Sequence, residues 1–164
     1  MTTTDELVDN NTTYADSFDE AHLPMPPGRQ VAVLACMDAR LDAYRILGLE
    51  IGEAHVIRNA GGVVTEDAIR SLVISQRLLG TTEIVLIHHT DCGMLTFRDD
   101  DVKDEIAEEV GTRPHFALEA FSDPASDVAQ SIRRVRTSPF LPHTNDVRGF
   151  VFDVKTGRLD EVIA

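Results

Sequence analysis

Residues 31–40 read Val-Ala-Val-Leu-Ala-Cys-Met-Asp-Ala-Arg, and this stretch decides the fold. Val31–Ala35 is too short for a helix and apolar on both faces, as expected of a parallel strand covered from two sides. The preceding LPMPPGRQ (23–30) carries three prolines, which prevent regular helix or strand just before it. Working outward, two further runs read as strands. Ala54–Asn59 (AHVIRN) alternates and ends in Ala60-Gly61-Gly62, a backbone able to turn tightly. Glu83–His88 (EIVLIH) runs directly into His89-Thr90-Asp91-Cys92-Gly93.

Helical patterns fill the intervals. Ala39–Leu47 has helical residues and stops at Gly48. Thr65 caps a helix whose first turn holds Glu66 and Asp67, and whose apolar stripe of Ala68, Leu72 and Leu79 ends at Gly80. Residues 98–127 are acidic and irregular, with Asp99–Asp101 as a solvated helix start, and Pro124–Arg136 reads as an amphipathic helix. Gly149–Lys155, Thr156-Gly157 and Arg158–Val162 form a terminal hairpin. Strands alternating with helices predict a single α/β domain over residues 31–164, with a mostly parallel sheet of four strands plus a C-terminal strand or hairpin and helices on both faces. Residues 1–30 read as an N-terminal arm.

At 164 residues the chain is long enough for one compact domain and short for two. No apolar run approaches the ~18 residues that span a bilayer, which argues against a membrane protein. The first residues, MTTTDELVDNN, contain neither Lys or Arg nor an apolar segment, so no secretory signal is expected and a cytoplasmic location is. A formal net charge of −13 repels phosphate backbones and anionic lipid surfaces, so nucleic acid is not an expected partner. Two cysteines in such a chain read first as reduced, buried, catalytic or metal-bound.

In a parallel sheet, loops that leave the carboxyl ends of the strands converge, and ligands gather there. Cys36 leaves the first strand, and His89 and Cys92 leave the third, at the same edge. His-x-x-Cys offers two ligands from one turn of chain and Cys36 adds a third, a Cys₂His set suited to zinc with its fourth tetrahedral position open. Taken singly, the cysteines read as small buried hydrophobes and His89 as an ordinary hydrogen-bonded histidine. Together they follow two apolar strands and use every cysteine in the chain, which favours metal. Asp38 and Arg40, spaced to pair as carboxylate and planar fork, stand beside this set, where the fork keeps Asp38 ionised and off the metal. His88 should point to the opposite strand face from His89, into the core. His22, His55, His115 and His143 lie far from the motif. Arg58 and Asn59 either line the cleft or satisfy loop backbone.

The combination of CMDAR, RNAGG (58–62), a capped helix, a strand and HTDCG (89–93) resembles the β-class carbonic anhydrases, in their short, non-plant-type subclass. The resemblance spans roughly residues 25–95 by motif. It implies one Zn²⁺ per chain on Cys36, His89 and Cys92, the catalytic dyad Asp38–Arg40, and Asp38 as an alternate fourth ligand in a closed state. It implies Gly93 and Gly61 as backbone contacts to substrate. The glutamine that plant-type members place before the first strand is replaced here by Pro27. The implied reaction is reversible hydration of carbon dioxide to bicarbonate and a proton, by attack of zinc-bound hydroxide. An alternative is hydrolysis of carbonyl sulfide or carbon disulfide on the same site, and a third reading is a closed zinc or redox-sensing module. The implied assembly is a homodimer or larger, consistent with sheet edges and an arm that need partners.

Overall fold

The computed structural model describes residues 1–164. Strands β1 (Val31–Cys36), β2 (Ala54–Asn59), β3 (Glu83–His89), β4 (Val147–Phe152) and β5 (Leu159–Val162) form one sheet in the order β2-β1-β3-β4-β5. The first four are parallel, and β5 returns antiparallel on β4 as the expected hairpin. Register pairs Ala35 with both Arg58 and Ile87, so β1, β2 and β3 all end at one edge.

Alternation along β1 and β3 sends Ala32, Leu34, Ile84 and Leu86 to one face, where they meet Ala68 and Leu72 of α3 (Glu66–Arg77) and Val128, Ile132 and Val135 of α5 (Pro124–Arg136). Val33, Ala35 and Ile87 face the other way, toward Leu41 and the short α2 (Ala43–Leu47). Helices therefore cover both faces, unequally. The helix starts are chemically specified: Thr65 accepts from the Ala68 N–H at 3.2 Å and Asp123 from the Ser126 N–H at 2.7 Å, with Pro124 in the first turn.

Several expectations require correction. The helix expected over Ala39–Leu47 begins only at Ala43, because Asp38–Arg40 are occupied by a turn in which the Leu41 N–H donates to the Asp38 carbonyl. The helix expected to reach Gly80 ends at Arg77, leaving Leu79 outside it. The acidic stretch beginning at residue 98 is not all irregular, since Asp99–Val110 forms α4, and Asp99 is not merely solvated: its carboxylate accepts the backbone N–H groups of Leu118, Glu119 and Ala120 at 2.8–3.1 Å. The arm contains a helix, α1 (Thr3–Asp16), started by a reciprocal cap between Thr2 and Asp5. None of its residues is buried.

Gly62 is the tightest joint. At φ +72° it lies where a Cβ would stand 2.7 Å from the Ile87 carbonyl oxygen and 2.8 Å from the Cys36 nitrogen, both backbone atoms. Gly48 is also left-handed, at φ +63°, but faces open space. Gly62→Ala is expected to cost about 2–4 kcal/mol, from strain plus displaced strand ends, against about 1 kcal/mol for Gly48→Ala. Urea unfolding midpoints of the two variants check this, and equal shifts would contradict the role given to Gly62.

Candidate metal centre

The edge where β1 and β3 end brings the expected ligands together. Cys36, His89 and Cys92 are all buried, and one ligand atom from each lies within 4.8 Å of the others. The two sulfurs are 4.0 Å apart, well beyond a disulfide bond, and both cysteines are free. His89 Nδ1 is 2.8 Å from the Thr90 carbonyl oxygen, which as an acceptor assigns the proton to Nδ1. His89 Nε2 is left buried with no hydrogen-bond partner. An unpaired buried acceptor is costly, and one aimed beside two thiols is the donor set of a zinc-type ion. The residues present therefore fit the metal that the sequence implies.

Proton affinities point the same way. Burial opposes charge on Cys36, but the neighbouring His89 and backbone N–H groups, including that of Gly61, bring its thiol below the ordinary value. Burial, with the nearby Cys36, pushes Cys92 up to about 11. Burial likewise opposes charge on His89, yet Cys36 and the Thr90 carbonyl raise its pKa. Two thiolates cannot comfortably share this space without a cation between them.

Asp38 stands at the rim of the cluster, with Oδ2 3.7 Å from His89 Nε2. Arg40 grips it as a fork: Nε donates to Oδ1 at 2.9 Å and Nη2 to Oδ2 at 2.8 Å, while the Arg40 backbone N–H also donates to Oδ1. Arg40 accordingly holds the Asp38 carboxyl far below the usual carboxylate range. Arg58 serves loop backbone, since its guanidinium donates to the carbonyls of Cys36 at 2.9 and 3.1 Å and Asp38 at 2.6 Å, and with Asn59 it also lines a concavity beside Ala60 and Thr65. Asn59 likewise donates to the Val63 carbonyl at 2.8 Å. Both tie down the loops that carry the site.

Gly61 is buried at φ +82°, under Phe121 and Met94, with its N–H toward Cys36. Gly93 is exposed, with open space where a side chain would stand. His88 points to the α5 face, where its Nε2 lies 2.7 Å from Asp127 Oδ2. His55 bonds Ser75, and neither it nor His22, His115 or His143 joins the ligand cluster. Pro27 is buried near the start of β1, at the opposite end from Cys36, and has no part in the site of its own chain. Sequence reasoning did not find Asp91, which takes a left-handed φ of +56° between His89 and Cys92 and accepts from Arg40. A surface concavity of about 680 Å³ lies elsewhere, between α3 and α5, and none of the three clustered residues lines it.

Comparison with known proteins agrees with this chemistry. The family described as "Carbonic anhydrase" matches residues 31–159. The chain is 60% identical to beta-carbonic anhydrase 1 of Mycobacterium tuberculosis over 99% of both chains. It is 34% identical to a carbon disulfide hydrolase of Acidithiobacillus thiooxidans, covering 82% of this chain and 78% of that one. Among solved structures, a carbonic anhydrase from Streptococcus mutans superposes with a TM-score of 0.92 at 41% identity, covering 99% of each chain. The chain belongs to the β-carbonic anhydrase family and is a carbonic anhydrase, an enzyme that interconverts carbon dioxide and bicarbonate.

Proposed function

We propose that Cys36, His89 and Cys92 hold one zinc ion per chain, and that Asp38 and Arg40 govern the hydration of carbon dioxide beside it. The observation that carries this reading is the partnerless, buried Nε2 of His89 facing two thiols, with a carboxylate already claimed by arginine at their rim. When bound, zinc supplies a Lewis acid that lowers the pKa of water to about 7. Asp38 Oδ2, ionised and directed by Arg40, accepts a hydrogen bond from the attacking water and orients its lone pair toward the carbon of carbon dioxide. The Gly93 N–H, on the open side of the loop, offers a donor to a substrate oxygen, and Gly61 supports Cys36 from below. Arg58 keeps the Cys36 and Asp38 carbonyls fixed while the substrate exchanges.

One feature favours an open fourth position over a closed, non-catalytic zinc module: both Asp38 oxygens are engaged by Arg40. Carbon disulfide hydrolysis is the alternative activity of the same arrangement, and the 34% relative carries that name, against a 60% relative named for carbonic anhydrase. No helix is long and apolar enough to cross a membrane, and we place the enzyme in the cytoplasm.

The active assembly is a homodimer at least. On α1, Leu7 and Tyr14, with Phe18 just beyond it, recur at helical spacing and are exposed, and the first 28 residues carry Asp5, Glu6, Asp9, Asp16, Asp19 and Glu20 but no Lys or Arg. The groove between α3 and α5 presents the complement, with Ile69, Val73 and Phe140 flanked by Arg70, Arg77 and Arg134. The α1 helix of one protomer covers this groove on its partner.

Stopped-flow assays should show carbon dioxide hydration well above carbon disulfide hydrolysis, with a rate that rises from pH 6 to 9 under saturating buffer. The reverse preference would overturn the assignment of substrate. Cys92→Ser should lose most bound zinc by metal analysis, because a hard hydroxyl replaces a thiolate poorly, and full retention would remove the proposed ligand. Light scattering at micromolar concentration should give a dimer or larger that Tyr14→Glu weakens, whereas a monomeric parent would contradict the assembly.

A further inference from the structure

Arg40 spends its donors on two carboxylates, not one. Beyond the fork to Asp38, Nη1 donates to Asp91 Oδ2 at 2.8 Å and Nη2 to the Asp91 backbone carbonyl at 2.9 Å. Of the five N–H groups of a guanidinium, four are thereby engaged. Asp38 and Asp91 sit on different loops, one after β1 and one after β3. The Asp38–Arg40 pair alone is local, two residues apart, and Arg40 is half exposed, so water and other rotamers compete for it. The second grip comes from 51 residues away and fixes the plane of the guanidinium relative to His89 and Cys92.

The backbone of Asp91 is consistent with a positional task. At φ +56° it occupies a conformation that glycine takes without strain and that few other residues adopt, Asp and Asn being the exceptions. Its side chain is 73% exposed, so no packing requires it there. The one partner that uses both its carboxylate and its carbonyl is Arg40.

We propose that Asp91 is a positioning residue that acts through Arg40: by anchoring the guanidinium to the β3 loop it keeps the fork on Asp38, and so keeps Asp38 off the zinc. The role rests on the zinc reading above. Removing the Asp91 carboxylate leaves the guanidinium tied to the β3 loop by one backbone carbonyl, and the loosened fork then frees Asp38 to turn toward the metal's positive field.

The test uses the zinc-loaded full chain with Asp91→Gly, Asp91→Asn, Arg40→Ala and the double variant Arg40→Ala with Asp91→Gly. Glycine keeps the left-handed backbone and the carbonyl contact while removing the carboxylate, and asparagine keeps an acceptor oxygen without the charge. Asp91→Gly should retain zinc, lose about tenfold in kcat/KM for carbon dioxide, and show in its crystal structure an Arg40 whose Nη1 has lost its partner and whose fork has shifted, with Asp38 turned toward zinc. Asp91→Asn should lose less, and it decides the matter if the glycine variant does not fold. In the Arg40→Ala background Asp91→Gly should change kcat/KM by less than about twofold, since its route of action is already gone. An equal loss in both backgrounds, or an Asp91→Gly enzyme whose Arg40 fork is unmoved and whose kcat/KM is unchanged, would overturn the proposal. A parent chain that does not hydrate carbon dioxide defeats the substrate assignment instead, and the crystal structures still decide whether Asp91 holds Arg40.

Discussion

In-register parallel pairing of β1 with β3 is the constraint on which the rest depends. Because Ala35 lies opposite Ile87, the two strands finish together, and the chain can deliver Cys36 from one and His89 and Cys92 from the other within a few ångströms. A ligand set drawn from loops on rigid strands is held more firmly than one drawn from a single flexible loop. Gly62 wedges between the same two strand ends, against the Ile87 carbonyl and the Cys36 nitrogen, and Arg58 at the end of β2 clamps the Cys36 and Asp38 carbonyls. Strands β1, β2 and β3 thus all contribute to one small volume, β2 without a residue in the Cys36–His89–Cys92 cluster.

The electrostatics of that volume are unfavourable without a cation. Cys36 and Cys92 sit 4.0 Å apart, and burial first, then the charge on Cys36, raise the cost of charge on Cys92. A divalent ion reverses the sign of this interaction and displaces the protons. The same positive field attracts Asp38, whose Oδ2 is 3.7 Å from His89 Nε2. With an ion bound, Asp38 would be under competition between metal and guanidinium, and the bidentate geometry of Arg40 would give the guanidinium its advantage. Lysine, a single compact charge, could not hold both oxygens and the β3 loop at once.

The convergence of Cys36, His89 and Cys92 and the Asp38–Arg40 pair were legible because each follows an apolar strand at a spacing that chemistry restricts. Helix α5 was legible at both ends, from Asp123-Pro124 at its start and the arginines of its last turn. Helix α1 was not, since its Thr and Asn are poor helix formers and no buried face disciplines its pattern; the one signal was Thr2 three residues before Asp5. Asp99 looked like one of a run of solvated acids because its partners, the N–H groups of residues 118–120, are backbone and leave no trace in side-chain pattern. Asp91 was hidden for a related reason: the backbone turn that aims it at Arg40 is visible only in φ, and its partner lies 51 residues away.

The charge of the chain also bears on turnover. Carbon dioxide is neutral and bicarbonate anionic, so a net charge of −13 does not hinder entry of the one and favours departure of the other. Close to the metal centre the balance is local and different. Arg40 gives four of its five N–H groups to Asp38 and Asp91, whereas Arg58 donates only to the backbone carbonyls of Cys36 and Asp38. Engaging Arg40 with two carboxylates lets its guanidinium shape the site with its charge balanced by the protein's own acids.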